Sequence, residues 1–212
     1  SPVDVDDTSS ANAIDARESM NSERMMPIGV AGRVYEGEDL VIRPMGPRVI
    51  GLFQRVDNEN EGKPFNPIAN RAIYGLAGLS RKIPFSLLDG STEGQQMLEA
   101  HVSIVAEGET GVDGAIADGG FVFIGTDNAT TGDLWSQIHQ VRGADAITVE
   151  LMQITRQFLG RKISADLVEA WLNSMKFMLR DHKADDDILG YDVAFRADKN
   201  SPEQIRLGNL TV

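Results

Sequence analysis

Three histidines, His101, His139 and His182, are the side chains in this sequence best able to move a proton near neutral pH. They lie far apart and in unlike settings. His139, in WSQIHQVRG, is the one placed to serve as a base, but the sequence signals neither a nucleophile nor an orienting acid beside it. No G-x-S-x-G elbow occurs among the many serines. The densest acidic run, DHKADDD at residues 181–187, lacks the central glycine and late glutamate of a calcium loop and reads as a solvated helix exit. GETGVDG and ADGG lead into a strand rather than opening a helix, and no glycine is followed by Lys-Ser/Thr, so they are not a phosphate cradle. There is no cysteine, which excludes disulfides, thiol catalysis and thiolate-bound metals and fits a reducing compartment. The reading is therefore a non-enzyme with no catalytic, metal or cofactor-binding residues and no cofactor.

Composition narrows the class further. The 212 residues suffice for one domain or two small ones, and a 42% hydrophobic share is ordinary for a globular chain. A net charge of −12 argues against nucleic-acid binding, which needs a basic face, and favours partners with basic patches. No apolar run approaches the length of a membrane span, and no signal peptide opens the chain. Arg142, Arg156, Arg161 and Lys162 form the only basic concentration; they read either as helix-end charges or as a docking patch for an acidic neighbour. Trp171 reads as packing, and Trp135, beside Asp133, as core or interface.

The elements that position these residues suggest an α+β fold with a mixed or antiparallel sheet and several helices. SPVDVDDTSS is expected to be a flexible acidic lead and ANAIDARESMNSER a short helix, so that residues 1–24 precede a core of 25–212. PIGVAGRVYEG, EDLVIRP and PRVIGLFQRVD read as three short strands bounded by Gly or Pro. FNPIANRAIYGLAGL reads as a helix, with Asn66 capping, Pro67 in the first turn and Ile68, Ala72, Ile73 and Leu76 on one face. TEGQQMLEAHVSIVAEGE gives a short helix and a strand, and FVFIGTDNATTGD a buried strand and polar turn. Ile147, Leu151, Ile154 and Phe158 form a helical stripe that stops at Gly160. A second helix begins at an N-cap, Ser164, with Asp166 in its first turn and a stripe of Val168, Trp171, Leu172, Met175 and Leu179.

The end of the sequence, YDVAFRADKNSPEQIRLGNLTV, reads as a strand, a polar excursion and a second strand still running at Val212. An unpaired strand invites a partner. Residues Leu207, Gly208, Asn209, Leu210, Thr211 and Val212 are thus candidates for inter-subunit strand pairing. The chain opens on Ser1 rather than Met, and both ends read as cut.

The order of these segments resembles the C-terminal half of contractile tail sheath proteins of phages and related injection machines. GLFQRVDNENEGKPFNPIAN carries Arg55, Asp57, Pro67, Ala69 and Asn70 in the family's positions; GGFVFIGTDNATT matches its middle strand and turn. ADAITVELMQITRQFL resembles its long helix, and FRADKNSPEQIRLGNLTV its closing phrase through Asp198, Asn200, Pro202 and Ile205. The similarity runs over about residues 25–212, and its specificity lies in order and spacing rather than in any one phrase. Glu150 and Leu151 stand where the family has paired arginines, and the strand between the two long helices is short or missing.

The resemblance implies a phage tail sheath subunit that polymerises helically around a tail tube and contracts by rigid-body rearrangement. It implies a core without its N-terminal half and its C-terminal arm. Its partners would be other sheath subunits, the tail tube protein, the baseplate and the tail terminator, with no nucleic acid and no membrane contact. Its place would be the virion tail, assembled in the host cytoplasm. Two other readings stay open: a different viral tail or baseplate component, and a hydrolase using carboxylates such as Asp118 or Asp133.

Overall fold

The computed structural model describes residues 1–108, 120–132 and 134–211. Their order is β1 (Pro2–Asp4), α1 (Ser10–Glu18), β2 (Met26–Ile28), β3 (Gly32–Glu36), β4 (Asp39–Arg43), α2 (Gly46–Glu59), β5 (Arg71–Ile73), β6 (Gly78–Leu79), α3 (Glu93–Glu99), β7 (Ile104–Glu107), β8 (Phe121–Ile124), α4 (Ile138–Arg156), α5 (Ala165–Ala184) and α6 (Pro202–Arg206). The α+β class expected from the sequence holds. The chain divides into two compact units, Ser1–Gly143 and Ala144–Val212, and α4 crosses the division.

Among the described residues of the first unit, helices accompany three small sheets with strand orders β1-β2, β4-β3-β6 and β5-β8-β7. The segment expected to be a flexible lead is built into this unit. β1 runs parallel to β2 with Val3 opposite Pro27, and the Val5 amide donates to the Ile28 carbonyl at 3.0 Å. Asp4 completes the anchor. Met45, the N-cap of α2, has no side chain able to accept from its own helix, and Asp4 supplies the missing acceptor. Its Oδ1 accepts from the amides of Met45 at 2.7 Å and Gly46 at 3.1 Å, and Oδ2 accepts from Gly46 at 3.0 Å. A Cβ at Gly46 would sit 2.7 Å from that oxygen, so any larger residue there must displace the capping carboxylate.

Two expected elements differ. PRVIGLFQRVD is not a strand but most of α2, because Val49, Leu52, Phe53 and Val56 recur at helical spacing and all are buried. Burying each contributes about 1.5–3 kcal/mol, which outweighs the β preference of the valines and phenylalanine. FNPIANRAIYGLAGL is not a helix. Asn70 takes a left-handed φ of 58°, its amide donates to the Phe123 carbonyl at 2.8 Å, and β5 follows, pairing antiparallel with β8. The turn opens a strand because a sheet edge is waiting for it.

The second unit is built on α4 beyond Ala144 and on α5, with α6 and the tail. Ser164 caps α5 as expected, its Oγ accepting from the Leu167 amide at 3.2 Å. Met175, Leu179 and Val193 form the buried core, and Ile147, Leu151, Ile154, Trp171 and Leu172 pack against it. Trp171 Nε1 donates to Thr155 Oγ1 at 3.1 Å, joining the two helices. No strand intervenes between α4 and α5, in line with the sequence, and Gly160 lies past the end of α4 with φ 76°.

Candidate assembly surfaces

Among the described residues, the groups that could carry chemistry do not converge. His101 Nδ1 lies 2.9 Å from Asp127 Oδ2 in a surface pair. His139, on the first turn of α4, has a buried Nδ1 without a hydrogen-bond partner. Burial, and then the charge of Arg142, push its pKa below the ordinary histidine value. His182 is held between two carboxylates in the second unit. Among the described residues no group of His, Asp or Glu is arranged to hold a metal ion, and the acidic run at 181–187 is the exit of α5. Asp118 and Asp133 lie outside the described residues.

The basic residues separate by role. Arg142 faces Asp57: Nη1 donates to Oδ1 at 3.1 Å and Nη2 to Oδ2, while the guanidinium lies 4.4 Å over the Phe53 ring. It is a clamp between α4 and α2 within the first unit. Arg156 closes α4, where its charge complements the helix C-terminus. Arg161 stands over Phe158 at 5.8 Å, and Arg161 and Lys162 are exposed in the α4–α5 connection. Here Phe158, Leu159, Leu167, Val168 and Trp171 line an apolar groove of about 300 Å³, with Leu210 of the tail along it.

The tail differs from the expectation of two strands. Residues 191–195 form no strand, Pro202–Arg206 is the short helix α6, and residues 207–211 form no strand either; Val212 lies outside the described residues. A strand needs a neighbouring ladder, and among the described residues none runs beside this segment. Asn200 organises it instead. Its buried amide donates to the Arg196 carbonyl at 2.8 Å and the Thr211 carbonyl at 2.5 Å, and its Oδ1 accepts from the Thr211 amide at 2.7 Å. Asp198 pairs with Arg196, and Pro202 opens α6 behind the cap Ser201.

An open edge lies elsewhere. β4 is the outer strand of its sheet, and its residues Leu40 and Ile42 are 49% and 53% exposed, beside Tyr35 at 67%. The alternation in EDLVIRP marks this strand, but nothing in the sequence marks it as an edge. Arg43 and Glu36 brace the hairpin through two bonds of 2.6 and 2.7 Å, and a cleft of about 730 Å³ opens beside it, lined by Tyr35, Arg43, Pro47, Arg48 and Leu76. Trp135, which read as core or interface, is 41% exposed, with φ 63°, and its carbonyl accepts from Asn128 at 2.6 Å.

No protein-family model matches the sequence, and no curated protein matches it. Solved structures do. A chain of the baseplate of the anti-feeding prophage, AFP, superposes with a TM-score of 0.77 at 13% identity, covering 99% of this chain and 53% of that one. The AFP helical sheath in its contracted state gives 0.76 at 15% identity over 99% and 55%. The contracted sheath complex of an extracellular contractile injection system, PVC, gives 0.76 at 12% identity over 99% and 57%. The chain thus spans a little over half the length of the proteins it matches.

Proposed function

We propose that this chain, which has the α+β fold of contractile-injection-system sheath proteins, serves as a structural subunit of a contractile phage tail sheath. The observation that carries the reading is the agreement over nearly the whole chain with a helical sheath in its contracted state. A sheath is an open helical polymer, which requires a heterologous contact that does not close into a ring. Residues 207–212 are the segment assigned to that contact: among the described residues 207–211 have no ladder beside them, and the segment becomes a strand by pairing with a neighbouring subunit. Strand addition holds through main-chain hydrogen bonds while the folded cores turn as rigid bodies. Arg156, Arg161 and Lys162 are the assigned docking charges against neighbours whose net charge is −12.

In this reading subunits surround a tail tube in a metastable extended state. A signal from the baseplate releases a rearrangement that travels along the polymer and drives the tube into the host. The energy is stored in the arrangement of subunits, and no nucleotide is consumed. A second reading, a baseplate component, is favoured by one observation, the agreement with a chain of the AFP baseplate. Co-sedimentation of the protein with polymerised tail tube distinguishes the two. A sheath subunit saturates along the tube length, whereas a baseplate component binds in proportion to tube ends.

A further inference from the structure

His182 sits in the last turn of α5 with its ring between two carboxylates on different elements. Nε2 lies 3.0 Å from Glu150 Oε2 of α4, and Nδ1 lies 2.9 Å from Asp187 Oδ2 in the turn that follows α5. Asp181, Lys183 and Asp185, its neighbours in sequence, are exposed. Two ionised carboxylates can only accept, so both contacts require both ring nitrogens to donate. That is the imidazolium, and the negative end of α5 favours the same state.

We infer that Glu150, His182 and Asp187 form a protonation-gated latch that ties the exit of α5 to α4, closed when His182 is charged and open when it is neutral. A neutral ring carries one N–H and one lone pair, so one contact must become acceptor against acceptor. The two carboxylates differ in which can leave. The Asp187 side chain is 4% exposed, whereas that of Glu150 is 41% exposed and open to solvent. Asp187 keeps the proton donor and Glu150 swings into solvent.

The consequence falls on the segment after α5. The Asp187 amide donates to the His182 carbonyl at 2.9 Å, Ile188 packs on the edge of the core, and Val193 belongs to it. Among the described residues that core has three buried members, Met175, Leu179 and Val193, ringed by partly buried side chains, so a cross-link to α4 adds to what holds the segment. Burial of the ring opposes its charge, but Asp187 and Glu150 together outweigh burial and raise the histidine pKa. A raised folded pKa gives stability that is complete below the ordinary histidine value and is lost as pH rises through the raised one.

The test is hydrogen exchange of residues 186–195 in the whole chain, corrected for intrinsic rates, with a parallel NMR titration of the His182 ring. Protection in the native protein should fall about tenfold for each unit by which the pKa is raised, as pH rises from the ordinary histidine value through the raised one. Glu150→Gln is the decisive variant. Its amide nitrogen donates to the bare ring nitrogen and its oxygen accepts from the charged ring, so the latch stays closed in both states. Its protection should change less than about twofold over the same range. The inference is overturned if native protection is independent of pH, if Glu150→Gln keeps the native pH response, or if His182 titrates at or below the ordinary histidine value.

Discussion

Arg142 and Asp57, 85 residues apart, meet in a two-pronged ion pair whose guanidinium also covers the ring of Phe53. Asp57 and Arg55 belong to the phrase that resembles the sheath family, and both tie α2 to its surroundings. Arg55 donates to the Ala72 carbonyl of β5 and lies 4.5 Å over Tyr74. The phrase is therefore structural: it fixes one helix against a strand on one side and against the start of α4 on the other.

Breaking that clamp should cost stability without changing the fold. The side chains are 26% and 18% exposed, so solvent screens part of the loss, and Asp57→Asn or Arg142→Lys should each cost about 1–3 kcal/mol. Lysine keeps the charge but loses the paired bonds and the stacking. Chemical denaturation of both single variants and the double variant checks this. The double variant should lose clearly less than the sum, and full additivity would mean the two side chains do not act together.

Two glycines should respond with opposite sign. Gly125 has φ 133°, and a Cβ there would lie 2.4 Å from Ser103 Oγ and 3.0 Å from Ser103 Cα, so Gly125→Ala should cost about 2 kcal/mol or more. Gly51 lies on the exposed face of α2 with nothing within 4 Å, so Gly51→Ala should stabilise by about 0.5–1 kcal/mol. Thermal melts read both, and a destabilised Gly51→Ala would contradict the assignment of residues 46–59 to a helix.

His139 predicts an acid limb. Its pKa is lowered by burial and by Arg142, so the neutral ring is the folded form. Stability from this group is present above the ordinary histidine value and lost as pH falls through the lowered one, the reverse of His182. His139→Phe should flatten the loss of stability as pH falls below the ordinary histidine value, relative to the native chain. An unchanged limb would show that His139 is not its source.

Asn200 makes three hydrogen bonds that hold residues 196 and 211 together. Asn200→Ala should raise amide exchange at residues 207–211 by about tenfold, the loss of roughly one net hydrogen bond or more, while leaving α4 and α5 protected. Unchanged exchange at Thr211 would show that the asparagine does not set the tail's course.

The helices with a sustained stripe, α4 and α5, and the continuous apolar strand β8 were legible because burial on one face is written at a fixed period. The α2 stripe was equally present, but β-branched residues and the flanking Gly and Pro suggested strands. What could not be read were relationships across the chain. Asp4 capping α2 from 41 residues away, Asp57 reaching Arg142, and β5 pairing with β8 leave no local signature. RLGNLTV reads as a strand, but a strand is a property of a pair. Among the candidate residues, Arg142 read as one of a basic group, and only geometry separates it from Arg156, Arg161 and Lys162.

Electron microscopy of the purified protein mixed with polymerised tail tube tests the sheath reading most directly. A sheath subunit should coat the tube in a layer with a helical repeat, and the coat should be lost when residues 207–212 are replaced by a glycine-serine segment. Bare tubes, protein at the tube ends alone, or a coat that persists without residues 207–212 would contradict that reading.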